Sequence, residues 1–412
     1  MNKAEYIKQL TEESIALLKE MIAIPSPSFK EDEVCSHISK WLTSKGVEHE
    51  RIGNNIIAEH ITDPENPTLM LCAHIDTVSP CEGYTFDPYK PENSTEGVIQ
   101  GLGSNDDGAS VVSLIASYRY YIGAINDSQN NPFRDKNVAA VRCNSPLDCM
   151  LTAHDPCGQG GITVLRTIDN PTTPPNLTLV LTAEEERSGK DGMTGLWGKR
   201  LNRIDYAIVG EPTGMKAATS ERGLLVIDAT AYGISGHAAR NEGKNALYIA
   251  MDDITKLRNH TFGKISPKMG KVNLNVTQIN AGTAHNVIPD RCDFVIDIRP
   301  TEQYSNEDIL KELQDICESE LKPRNLANRS SATREGSPLE KAAELMGIET
   351  FSSPTTSDWM RIDCDAIKMG PGDSSRSHRK DEFVTVQEIT EGIQKYITFI
   401  SSLDFARDDR KE

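Results

Sequence analysis

Short apolar runs separated by helix-length amphipathic stretches set the pattern of this chain. The opening residues, MNKAEYIKQLTEESIALLKEM, break their apolar positions with charge every few places, which predicts an amphipathic helix and not the unbroken apolar core of a signal peptide. Ser28 to Glu31 has the spacing of a capping box, and Val34, Ile38, Trp41 and Leu42 then recur at helical spacing until Gly46. Three compact apolar runs follow, TLMLCAHIDTV at 68–78, LTLVLTAEE at 177–185 and YAIVGEP at 206–212, with helix-length segments between them. Such alternation predicts an α/β domain whose central sheet is mostly parallel and flanked by helices. Ligands gather at the carboxyl ends of strands in sheets of this kind. His74, Glu185, Glu186 and Glu211 all fall at those ends.

The texture changes near Arg222. LLVIDATAYGIS, KVNLNVTQINAG and DRCDFVIDIRP alternate apolar and polar residues as half-buried antiparallel strands do, with helical patterns near 244–258 and 305–320. A smaller α+β domain, ferredoxin-like in type, is therefore expected over 217–326, inserted into a first domain made of 1–216 and 327–412. The α/β texture resumes with a strand at DAIKMGPG and a last helix at 386–402. The stretch at about 122–176 is rich in Asn, Asp, Pro and Gly with little periodicity, and reads as an insertion in the first domain. Within it Cys143, Cys149, His154 and Cys157 have no paired-cysteine spacing, which argues against a structural zinc.

Length and charge narrow the classes of function. A chain of 412 residues exceeds one ordinary core and asks for two domains. Its net charge of −17 opposes phosphate backbones and anionic lipid, so neither nucleic acid nor a membrane surface is an expected partner. No apolar run is long enough to span a bilayer. The nine cysteines are odd in number and scattered, and a reducing cytoplasm is the expected setting.

Candidate chemistry lies in short polar motifs at strand ends. In AHIDTV, Asp76 is placed to accept the Nδ1 proton of His74 and leave Nε2 for a metal. In GLGSNDDGAS, flanking glycines let Asp106 enter a cluster, while Asp107 reads as a helix-start charge. TAEEERSGK sets three acids in a row, whose mutual repulsion asks for a cation. Singly, each motif has an ordinary reading: a solvated helix start, a strand exit at VGEPT, a surface histidine in MGPGDSSRSH. Together, His74, Asp106, Glu186, Glu211 and His378 supply the nitrogen and oxygen donors that zinc favours, in a number suited to two ions sharing one carboxylate. Arg299 in DIRP suits a substrate carboxylate, and Asn286 in AHNVIPD can donate to the same group or to the acyl oxygen. Thr356 and Ser357 are weaker substrate candidates, since a Thr-Ser-Asp turn is often only a helix cap, a role open to Asp358.

AHIDTV, GLGSNDDGA, TAEEE, VGEPT, GISGHAA, NVIPD, DIRP, PTTSDW and GPGDSSRSH together resemble the M20 metallopeptidases, in the branch of acetylornithine deacetylases and succinyl-diaminopimelate desuccinylases. The resemblance implies a zinc held by His74, Asp106 and Glu211, and a second held by Asp106, Glu186 and His378. Cobalt and manganese are the alternative ions. It makes Glu185 the general base toward a metal-activated water and His237 a donor to the developing oxyanion, and it implies a homodimer formed through the smaller domain. The expected substrate is a small N-acyl amino acid, N-acetylornithine leading, which would place the chain in arginine biosynthesis. Desuccinylation and dipeptide cleavage are the alternatives, and a non-catalytic metal-binding relative is the alternative from another class.

Overall fold

The computed structural model describes residues 2–91, 96–126, 175–240 and 242–403, and most of the insertion with its cysteines and histidine lies outside them. The chain packs as two compact units, one of residues 1–217, 334–350 and 364–412, the other of 218–333 and 351–363. The second unit thus reaches beyond the stretch 217–326 read from texture and takes in the Thr356–Ser357 turn.

In the first unit the strands lie in the order Glu50–Ile52, Asn55–His60, Asn176–Thr182, Thr68–His74, Tyr206–Val209, Asp365–Lys368. The first three pair antiparallel, and from Asn176–Thr182 onward each pairing is parallel. Every residue of Thr68–His74 and of Asn176–Thr182 is buried, which is why these strands appear as continuous apolar runs and not as alternating ones. Helix Ala109–Asn126 is buried through Tyr121 and packs against helices Lys3–Ile22 and Val386–Ser402. A helix this rich in apolar residues needs such enclosure. The Tyr121 hydroxyl adds a hydrogen bond to the Ile397 carbonyl.

The second unit runs strand, helix, strand, strand, helix, strand: Leu225–Tyr232, Ala246–Asn259, Asn273–Ala281, Arg291–Arg299, Asn306–Gln314, Glu320–Pro323. Its four strands form an antiparallel sheet in the order Asn273–Ala281, Arg291–Arg299, Leu225–Tyr232, Glu320–Pro323, the ferredoxin-like arrangement expected from the alternating texture. Leu225, Ile227, Ala229 and Ala231 point inward with Phe294, Ile296 and Ile298, against Ile249, Leu257, Ile309 and Leu313 of the two helices. Both helices open on the caps their sequences announce, Asn245 on the Leu247 N–H and Ser305 in a capping box with Asp308. Among the described residues no helix is long and apolar enough to cross a membrane.

Candidate metal centre

Parallel pairing brings the polar motifs together. His74 is in register with Thr182, and Val209 with both Cys72 and Lys368, so the segments that follow these strands leave from one edge of the sheet. His74 ends its strand, Glu184 to Glu186 follow Thr182, Glu211 follows Val209, and the loop bearing His378 follows Lys368. Asp106 joins them from the start of the buried helix, where the Asp106–Asp107 peptide is cis.

The donor atoms converge. His74 Nε2 lies 3.2 Å from Asp106 Oδ1, and His378 Nε2 lies 2.9 Å from Glu186 and 3.8 Å from Asp106 Oδ2. Ligand atoms of His74, Asp106 and Glu186 lie within 4.8 Å of one another, as do those of His74, Glu185 and Glu211. The structure therefore gathers the five expected ligands and Glu185 in one place, with Glu185 beside His74 and Glu211. Glu184 is turned elsewhere: its backbone is left-handed, φ 62°, and its carboxylate caps the Asp191 N–H. His378 is also left-handed, φ 57°, an uncommon state for a residue with a Cβ and one that gathers at functional sites.

Beneath these residues lies a shell of hydrogen bonds that corrects several local readings. The Nδ1 of His74 is 2.9 Å from the backbone carbonyl of Asp76, nearer than the 3.4 Å to its carboxylate, so the carbonyl is the principal acceptor and Nε2 is left toward the cluster. The Asp76 carboxylate instead accepts the N–H groups of Glu185 and Glu186 and the hydroxyl of Ser28, and so orients the acidic segment. Ser28 is consequently no capping-box residue; helix Asp32–Ser44 starts after Glu31 with no side-chain cap, because the Glu31 carboxylate is occupied by the N–H groups of Phe29 and Glu184. Asp107, read as a helix-start charge, does stand just before the helix that starts at Ala109, but it is buried. It is 1% exposed, and burial pushes its carboxyl up to about 8.

Two residues that the motifs did not flag complete the shell. Buried Glu382 accepts the N–H groups of Gly103, Asn105 and Asp106, and Asn105 ties the loop to Asp373. Glu382 stands four residues after His378 and carries no local signal, since only the fold returns it beside Asp106. Gly103 has φ 76°, and a Cβ there would stand 2.6 Å from Thr77, so the bend at this point needs glycine.

Charge makes the fit to metal explicit. Loss of solvent, then the neighbouring Asp106 and Glu185 charges, push the Glu211 carboxyl well above the usual carboxylate range. The hydrogen bond to Glu186 raises His378 to about 8. Burial opposes a proton on His74, yet its bonds to Asp106 and Asp76 hold it well above the usual imidazole value. Four crowded carboxylates with two imidazoles among them form a donor set that divalent cations satisfy, and His74, Asp106, Glu186, Glu211 and His378 are the side chains that would hold them.

The remaining expected residues belong to the second unit. His237 and Asn286 are brought together there, since Gly236–His237 pairs with Val287–Ile288 and the Ala238 N–H donates to the Asn286 carbonyl. Arg299 grips Asp297 through Nε at 2.9 Å and Nη2 at 3.2 Å. Thr356 is partly exposed. Ser357, a weaker substrate candidate in a turn that also reads as a helix cap, is fully buried: its hydroxyl donates to Glu221 and accepts from the Trp359 N–H, so it, and not Asp358, caps the short helix Asp358–Arg361.

Comparison with known proteins adds an independent line. Residues 219–325 match the peptidase dimerisation domain of the M20 type. A succinyl-diaminopimelate desuccinylase of Xanthomonas campestris pv. campestris is 24% identical, over 96% of this chain and 100% of its own. An acetylornithine deacetylase of Myxococcus xanthus is 29% identical, over 52% of this chain and 61% of its own. Among solved structures, aminopeptidase PepT of Bacillus cereus superposes with a TM-score of 0.68 at 17% identity, over 95% of this chain and 98% of that one. A dinuclear metal-binding peptidase from Bacillus subtilis gives 0.65 at 15% identity, over 96% and 98%.

Proposed function

We propose that this chain, a member of the M20 peptidase family, is a metal-dependent amidohydrolase that removes the acyl group from the nitrogen of a small amino acid. The observation that carries the reading is the convergence of His74, Asp106, Glu186, Glu211 and His378 at one sheet edge, with Glu185 beside His74 and Glu211. Divalent cations bound there, zinc leading, would polarise the amide carbonyl and make water easier to deprotonate. Glu185 then takes the water proton as the oxygen attacks the acyl carbon, and returns it to the departing amine as the C–N bond breaks. Asp76 keeps Glu185 and Glu186 in place through their peptide N–H groups. His237 is the proposed donor to the oxyanion, with Arg299, Asn286 and Thr356 toward a substrate carboxylate.

N-acetylornithine is the leading substrate, with a cytoplasmic place in arginine biosynthesis as its setting. Removal of a succinyl group is the second reading, favoured by full-length similarity to desuccinylases. The two differ by one remote carboxylate. The dimerisation domain supports a homodimer. Amine release from N-acetylornithine, N-succinyl-diaminopimelate and a dipeptide, with and without chelator, tests the proposal. Hydrolysis of an N-acyl amino acid that stops on chelation and returns with zinc, cobalt or manganese is expected; no metal-dependent hydrolysis of any of the three would overturn it.

A further inference from the structure

The loop carrying Asp106 and the loop carrying His378 are fastened to each other chiefly at two points, Asp373 and Glu382, which lie on either side of His378 along the chain. At the first, Asn105 Oδ1 accepts the Asp373 N–H at 2.8 Å and Asn105 Nδ2 donates to the Asp373 carbonyl at 3.1 Å. Gly372 allows this approach: its φ is 89°, and a Cβ there would stand 2.4 Å from Asn105 Oδ1. At the second, Glu382 Oε1 accepts from Asn105 and Asp106 at 2.8 and 2.9 Å and Oε2 from Gly103 at 3.0 Å, while the Glu382 carbonyl accepts the Gly101 N–H. The pairing of Val98–Gln100 with Phe383–Thr385 delivers Glu382 to that position.

We infer that Glu382 and Asn105 are positioning residues that hold Asp106 and His378 in register for the cation these two ligands would share. The inference rests on the metal-centre reading above. A peptide N–H that loses its acceptor in a buried loop must seek another, and the loop moves with it. The other cation would share Asp106 but would also take His74, at a strand end, and Glu211, just past one, both outside the two fastenings, so it would depend less on them. Glu382 is one hydrogen bond removed from Asp106, and Asn105 is its chain neighbour; partners that hydrogen-bond a ligand commonly change metal affinity by about 10–100-fold.

The test is titration of the metal-free full-length protein with Co2+, followed by visible absorption and by competition with a chelator. Two equivalents are expected in the parent. In Glu382→Gln and in Asn105→Ala one equivalent should weaken by roughly 10–100-fold with an altered absorption band, the other changing less. Tyr121→Phe, which removes a buried hydrogen bond far from both loops, controls for stability and should bind as the parent does. Should Glu382→Gln fail to fold by circular dichroism, Asn105→Ala decides. Parent-like affinity and spectrum in both variants would overturn the positioning role alone. A parent that takes up no cobalt would overturn the metal reading and this inference with it.

Discussion

At Glu185 the backbone and the side chain have separate tasks. Its N–H is held by Asp76, while its carboxylate stands beside His74 and Glu211. Glu185→Gln preserves size and the peptide hydrogen bond but removes the proton acceptor. Amide hydrolysis by the metal-loaded variant should therefore fall by roughly 10²–10⁴-fold with metal content unchanged; a wild-type rate would exclude Glu185 as the base. His74, Asp106, Glu186, Glu211 and His378 were legible in the sequence because each follows a strand or glycine-rich bend that leaves its neighbours little freedom. Their supports were not. Glu382, Glu31 and Ser28 owe their partners to segments far along the chain, and nothing within a few residues of them distinguishes a buried acceptor from a solvated one.

Among elements, the legible ones were those whose environment is uniform along their length. Thr68–His74 and Asn176–Thr182 are enclosed on both faces and read as apolar runs, whereas Leu225–Tyr232 and Arg291–Arg299 cover one face and read as alternation. The short element at Ser28 was misread, and at the Thr-Ser-Asp turn a single hydrogen bond gives the cap to Ser357 and not to Asp358. Helix Ala246–Asn259 offers an element-scale test through Asp253. Its buried carboxylate accepts the N–H groups of Glu318 and Ser319 and the Ser319 hydroxyl, and pairs with Lys256. Burial alone would raise its pKa, but these bonds outweigh it and hold the group below the usual value. A depressed carboxyl stabilises the fold above its unfolded pKa, about 3.9, and that contribution is lost as pH falls through the folded value. Asp253→Asn should cost about 1–3 kcal/mol near neutral pH, with the difference from the parent shrinking below pH ~4. Urea midpoints across that range, with amide exchange at Glu318 and Ser319, check it; a deficit independent of pH would contradict the account.

For the whole molecule, the two units divide the expected labour: the first holds the clustered donors, and the second carries the dimerisation domain together with His237, Asn286 and Arg299. Homodimer formation predicts sedimentation at twice the 45.4 kDa chain mass at micromolar concentration, and a species at the single-chain mass throughout would refute it. The account as a whole depends on divalent cations being held by five side chains drawn from distant parts of the chain. Diffraction from zinc-soaked crystals at the zinc absorption edge addresses that directly. Two anomalous peaks are predicted, one against His74, Asp106 and Glu211 and one against Asp106, Glu186 and His378; a map with no peak among these residues would contradict it.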